Sequence, residues 1–379
     1  MPRHAAIDVD LDAITWNTAQ LAARAPGAVL CAVVKADGYG HGAEPVARAA
    51  LAGGATWLAV ALVEEGHELR TAGLTAPILV LSEPPPDVMP EALEAGLTPT
   101  LSTDAGIDAA VAAVRSQEGS APWAVHLKVD TGMHRVGADP SQAVTLASRI
   151  AAAPELELQG TFTHLAVADE PHRPETAEQL DRFEAVLGDL HAAGIDPGLR
   201  HAANSAGILA HPRAHYDLVR AGIALYGLPP APVLSRAVPL RPAMRLRAEV
   251  TTVRSIPAGE GVSYGLRHVF EAPARVAVVP LGYADGISRR LSSTGGCVLV
   301  GGVRRPIRGV VTMDQTIVDV TEEPPVSPGD EVVLLGPQGD EEITAQEWAD
   351  RLGTIGYEIV CGFSQRLPRS HVGDALAES

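Results

Sequence analysis

Residues 28–62 read AVLCAVVKADGYGHGAEPVARAALAGGATWLAVAL. A short apolar run ends at Lys35 and passes into a glycine-rich turn. An alanine-rich stretch follows, with apolar residues at helical spacing and two closing glycines, and then a second apolar run. Strand, helix and strand in that order imply parallel pairing. The same alternation continues outward to about residue 227. Its runs are AVLCAVVKA, TWLAVAL, PILVLSE, TPTLS, WAVHLKVDTG, LELQGTFTHLA, LRHAANS and DLVRAGIALYG. Eight units in roughly 200 residues predict a closed, TIM-like (β/α)8 barrel. An open doubly wound sheet is the alternative, but no GxGxxG follows any of these strands.

After LPPAPVLSRAVPLRP, residues 228–242, the pattern changes. RLRAEVTTVRSI, RVAVVPLGYADG, CVLVGGVRRPIRGVVTMDQTIVDV and DEVVLLG alternate as strands do, between Gly/Pro turns. One short helix is expected at TAQEWADRL, where Thr344 and Glu347 have capping-box spacing. The expectation is a barrel over 1–235 and a mostly-β C-terminal domain over 236–379, with the first ~10 residues packing with the second domain. The tail HVGDALAES is expected to be loose.

The formal charge is −17, which argues against nucleic acid or an anionic membrane as a main partner. Three scattered cysteines, Cys31, Cys297 and Cys361, suggest neither a zinc site nor a disulfide framework, and fit a reducing cytoplasm. The N-terminal residues lack a signal-peptide h-region, and no run of about 18 apolar residues predicts a membrane span.

Lys35 and Lys128 are the two lysines in the chain; the other 27 of its 29 basic side chains are arginines. Where arginine has displaced lysine so widely, a surviving lysine is a candidate for chemistry arginine cannot do. Lysine can lose its proton and attack a carbonyl to form a Schiff base. Lys35, Lys128, His164, Asn204 with Ser205, and Arg220 all fall near the C-terminal ends of the runs, the catalytic face of a barrel enzyme. The common biological aldehyde is pyridoxal 5′-phosphate, whose phosphate, ring nitrogen and oxygen each need a partner. Phosphate commonly sits at the loops after strands seven and eight, here AANSAG and RAGIALYG. Asn204 and Ser205 offer side-chain donors there, and Gly222 and Ile223 offer backbone N–H groups.

VVKADGYGHG closely resembles the cofactor-lysine signature of the alanine racemase family, the barrel-type (fold-type III) pyridoxal-phosphate enzymes. LKVDTGMHRVG, THLA, NSAG, RAGIALYG, GVSYG, PLGYADG, TMDQ and IGYEIVCGFSQRLPR follow in the family's order, from about residue 7 to 370. The resemblance implies an isomerase that interconverts L- and D-alanine with two bases, and D-alanine supply for peptidoglycan. It implies that Lys35 is the Schiff-base lysine and the base on the D face. It implies that Tyr264 is the opposite base, on the L face. Tyr39, Ser205, Gly222, Ile223 and Tyr357 correspond to phosphate ligands. Arg220 corresponds to the arginine at the pyridine nitrogen, and His164 to the histidine linking it to the catalytic tyrosine. Arg135 and the backbone of Met313 correspond to holders of the substrate carboxylate. Lys128 matches a lysine that is carbamylated in many members and orients the arginine at Arg135. The resemblance also implies a homodimer in which Tyr264 and Met313 act on the barrel of the partner.

Two bases are also what the chemistry asks for, because one rigidly held base cannot reach both faces of a substrate. An arginine at the ring nitrogen opposes its protonation and so weakens the ring as an electron sink. Ala221, Gly356 and Thr312 depart from the residues common in the family, beside binding positions and without removing a catalytic group. Serine or broad-specificity racemisation is the nearest alternative. A non-catalytic pyridoxal-phosphate barrel is an alternative of another class, although such proteins lack a second β domain carrying the tyrosine.

Overall fold

The computed structural model describes residues 4–117 and 121–373. Of the tail read as loose, residues 374–379 lie outside the described residues. The chain divides into two compact units. One comprises Asp12–Gly38 and Gly42–Arg241; the other comprises Met1–Leu11, Tyr39–His41 and Pro242–Ser379.

Strand β1, Ala5–Asp10, belongs to the second of these. The other unit is built on eight parallel strands. They are β2 (Val29–Val33), β3 (Trp57–Val60), β4 (Ile78–Val80), β5 (Thr98–Leu101), β6 (Trp123–Lys128), β7 (Leu156–Phe162), β8 (Leu199–His201) and β9 (Leu218–Ala221). Their order is β8-β7-β6-β5-β4-β3-β2-β9. The two ends of this order meet. Asp217 N–H donates to Arg200 O at 3.0 Å, and Arg220 N–H to Ala203 O at 3.0 Å. The ring is therefore a nearly closed barrel, as the eight apolar runs predict. These strands read as runs because helices cover one face and barrel-interior side chains fill the other. Helices Ala43–Ala52, Asp104–Arg115, Ala143–Ala152 and Glu175–Ala192 bury Val46, Ile107, Leu146 and Phe183 respectively.

The second unit is mostly β, also as expected. Its strands are β10 (Met244–Glu249), β11 (Thr252–Ile256), β12 (Gly261–Val262), β13 (His268–Val269), β14 (Ala274–Val279), β15 (Cys297–Val300), β16 (Val303–Pro306), β17 (Thr316–Asp319), β18 (Glu331–Gln338), β19 (Glu341–Ile343) and β20 (Arg369–Val372). The largest sheet runs β16-β15-β18-β10-β1-β20, with β19 on β18. β1 lies antiparallel to β10 and parallel to β20. Strands β11-β14-β17 form a second sheet and β12-β13 a hairpin. The capped helix runs Ala345–Leu352, with Thr344 Oγ1 accepting Glu347 N–H at 3.0 Å. Among the described residues, no helix is long and apolar enough to cross a membrane.

Candidate active site

The segment after β2 sets the site. From Ala36 to Gly40 the backbone makes one helical turn of left-handed sense, with φ of 53°, 51°, 59°, 52° and 79°. Left-handed helix costs an L-residue roughly 1–2 kcal/mol, so Ala36, Asp37 and Tyr39 are strained there. Gly38 and Gly40 are in this turn for two reasons. Positive φ costs glycine little, and a Cβ on Gly40 would lie 2.5 Å from Val360 O. The first two residues of the turn are tied down. Ala36 N–H donates to Glu65 Oε1 at 2.6 Å, and Asp37 Oδ1 accepts Ala43 N–H at 3.0 Å. The strain is thus held by the surroundings, immediately after Lys35.

Within the barrel unit, Lys35, Lys128, Arg135, His164 and Arg220 are brought into one electrostatic cluster. Lys128 ends β6, is buried, and donates to Leu81 O at 3.2 Å. Its amine is lowered to about 8, by burial first and then by the charges of Arg220, Arg135 and Lys35; Asp130 pulls weakly the other way. His164 is held well below the ordinary histidine range by burial, then by Arg220, Lys128, Arg135 and Lys35. Arg220, on β9, is 2 % exposed, and burial lowers even its guanidinium to about 10. Lys128 Nζ and Arg220 Cζ sit 5.4 Å and 5.2 Å from the centre of the Phe162 ring, a cation–π arrangement. Arg135 is exposed, and it does not pair with Asp139, whose carboxylate accepts Ser141 N–H and Oγ–H.

The Arg220 fork is spent inward. Nη2 donates to Thr163 O at 2.9 Å and Ala202 O at 3.0 Å, and meets His164 Nδ1 at 3.3 Å. Nη1 meets His201 Nδ1 at 2.7 Å. None of these bonds, among the described residues, uses the Nε–H. Behind Arg220, His201 Nε2 lies 2.9 Å from His126 Nδ1. Both imidazoles are 0 % exposed, and Phe162 stacks on His201 at 4.5 Å with the rings 8° apart. Guanidinium can only donate, so His201 Nδ1 is the acceptor and its Nε2–H donates onward to His126. At the far end, His126 Nε2 and Gln159 Oε1 are both buried without a well-formed hydrogen bond. Gln159 is nevertheless close enough to pull the His126 pKa back a little against the burial that lowers it to about 3.

The loops after β8 and β9 form a small cradle. Asn204 caps the turn Ser205–Ala210 by accepting Gly207 N–H at 3.0 Å. Ser205 Oγ accepts Gly222 N–H at 2.9 Å and Ala224 N–H at 3.3 Å, which leaves its own O–H to donate. The Gly222 amide therefore supports the cradle through Ser205. Ile223 opens a 3-10 turn, so its N–H has no partner within that turn.

The remaining sequence-derived site residues are in the β-rich unit. Tyr39 and Tyr357 face each other at 6.4 Å between ring centres, tilted by 48°. Burial pushes the Tyr39 phenol up. Tyr264 projects from the β12-β13 hairpin and is 75 % exposed. Ser263, at φ 62°, donates from Oγ to Val310 O at 2.6 Å and anchors that tip to the segment leading to Met313. Met313 is 52 % exposed, and its carbonyl accepts Ala284 N–H at 3.0 Å. Thr312 closes the Met313 turn by bonding Gln315. His201, His126, Phe162 and Glu65 were not read from the sequence as site residues. For His201 the one signal is that an arginine buried at a strand end must find acceptors; His126, Phe162 and Glu65 give none.

A ring of parallel strands whose C-terminal rim carries two amines, a buried guanidinium and a hydroxyl–amide cradle has the layout of a barrel enzyme. Residues 9–230 match the N-terminal domain of alanine racemase and residues 243–371 its C-terminal domain. An alanine racemase of Symbiobacterium thermophilum is 50 % identical over 97 % of both chains. One from Thermobifida fusca is 48 % identical over 96 % of this chain and 97 % of its own. The crystal structure of alanine racemase from the D-cycloserine-producing Streptomyces lavendulae superposes with a TM-score of 0.92, at 41 % identity and 98 % coverage of each chain. The chain belongs to the alanine racemase family, which are isomerases.

Proposed function

We propose that the protein interconverts L- and D-alanine with pyridoxal 5′-phosphate. The observation that supports this most is the gathering of Lys35, Lys128, Arg135 and Arg220 about one rim, where burial first and then the neighbouring charges lower the Lys128 amine to about 8. Such a cluster calls for anionic ligands, and a phosphate together with a substrate carboxylate supplies them. Donors within the barrel unit suit the cofactor: Lys35 for its aldehyde, the Arg220 Nε–H for its ring nitrogen, and the Ser205 hydroxyl and Ile223 N–H for its phosphate. Asn204 and Gly222, whose groups are spent on Gly207 and Ser205, shape the cradle instead of donating. By the family resemblance, the Tyr39 and Tyr357 hydroxyls are further phosphate ligands. When bound, the cofactor withdraws electrons and so acidifies the α-C–H of an amino acid.

The chain's own residues do the rest. Lys35 Nζ takes and returns the α-proton on the D face. Tyr264 Oη does so on the L face, reached from the second copy in a homodimer with shared sites. The exposure of Tyr264 and Met313 in a single chain accords with that assembly. His164, whose Nδ1 accepts from Arg220, presents Nε2–H to the tyrosine oxygen and favours its ionised form. Arg135 and the Met313 amide hold the substrate carboxylate, with Lys128, once carbamylated, orienting Arg135. In a cytoplasm that builds peptidoglycan, the product would be cell-wall D-alanine.

The test is α-proton exchange in deuterated water for alanine, serine and larger amino acids. Alanine should exchange fastest. Serine exchanging as fast would replace this reading with a broad-specificity racemase. No exchange with any of them would leave the non-catalytic barrel.

A further inference from the structure

Glu65 is the third residue of the helix Val63–Thr71, which follows β3. Its Oε2 accepts Ala61 N–H at 2.8 Å and Leu62 N–H at 3.1 Å, closing the start of its own helix. A helix cap needs no more than that. Its Oε1 instead crosses to the neighbouring strand and accepts Ala36 N–H at 2.6 Å. Ala36 follows Lys35 and is the first residue of the left-handed turn. The opening N–H groups of a helical turn have no partner inside it, so this amide depends on an outside acceptor. A charged acceptor makes the stronger bond.

We propose that Glu65 is a positioning residue for Lys35: its carboxylate binds the C-terminal ends of β2 and β3 together and holds the turn that fixes where the Lys35 backbone sits. This rests on Lys35 being the reactive amine. A misplacement well below the length of a side chain is enough to cost rate at a reacting centre. Glu83 provides the internal comparison. It is likewise a carboxylate at a strand end, accepting Ser102 N–H, Thr103 N–H at 3.0 Å and Thr103 Oγ–H at 2.6 Å, with no bond to the Lys35 turn.

The test compares Glu65→Gln and Glu83→Gln holoenzymes by amide hydrogen exchange over residues 36–40 and by steady-state kinetics, with borohydride labelling to locate the cofactor. Glu65→Gln keeps an acceptor for Ala61 and Leu62 and turns an amide N–H toward Ala36. Exchange over residues 36–40 should accelerate about tenfold. kcat should fall about tenfold with KM within about twofold of wild type. Glu83→Gln should match wild type on both readings. Unchanged exchange, or faster exchange with unchanged kcat while the label stays on Lys35, overturns the positioning role. Equal loss of kcat in Glu83→Gln reduces Glu65 to a general helix cap and overturns it too. A label on Lys128 in wild type overturns instead the functional reading on which it rests.

Discussion

Arg220 Nη1 lies 2.7 Å from His201 Nδ1, and that single contact fixes the proton positions of two buried histidines. His201 has to accept from Arg220, so it donates to His126, and neither ring can take a second proton without breaking a hydrogen bond. Arg220 therefore rests on a neutral relay.

The relay makes stability sensitive to acid. His126 is lowered to about 3 in the fold, and His201 also lies well below its ordinary value. Between those values and the ordinary 6.5, the unfolded chain binds more protons than the folded one. Their contribution is complete above pH 6.5 and is lost as pH falls toward 3. Calorimetric Tm from pH 8 to pH 4 should drop steeply in wild type. In His126→Gln it should start lower and fall less. Parallel slopes would contradict the relay.

Lys128 should react with carbon dioxide. An amine lowered to about 8 has a substantial uncharged fraction near neutral pH, and that fraction grows as pH rises. With 13C-bicarbonate, a carbamate NMR signal should strengthen across pH 8 and be missing in Lys128→Arg. A signal that persists in the variant would place the modification elsewhere.

Tyr264→Phe should lower α-proton exchange from L-alanine by about 10²- to 10⁴-fold, the usual worth of a general base. Exchange from D-alanine, which Lys35 initiates in the proposed two-base scheme, should suffer less. Near-normal rates in both directions would refute a two-base mechanism.

Mixing Lys35→Ala and Tyr264→Phe chains should restore part of the activity. A hybrid dimer with shared sites carries one site with both groups intact. Activity assayed after subunit exchange has been demonstrated by mass should be well above either parent, and no rescue would place Tyr264 in its own chain's site.

The eight barrel strands were legible because strands buried on both faces read as unbroken apolar runs. Lys35 stood out through its scarcity. The left-handed turn did not, because only Gly38 and Gly40 signal it. Ala36, Asp37 and Tyr39 take positive φ through bonds from distant residues such as Glu65. His126 and His201 sit in apolar strands and read as ordinary core; their link to Arg220 spans 19 residues for one and passes through the other. The pairing of β1 with β20 was beyond reach in detail, since register between the two ends of the chain leaves no local pattern.

The central claim is that Lys35 is the amine that holds the cofactor. Purified protein carrying pyridoxal 5′-phosphate should be reduced with borohydride, digested and mapped by mass spectrometry. The modified peptide should carry the pyridoxyl group on Lys35, with Lys128 unlabelled. Pyridoxyl on Lys128, or none on either lysine, would contradict it.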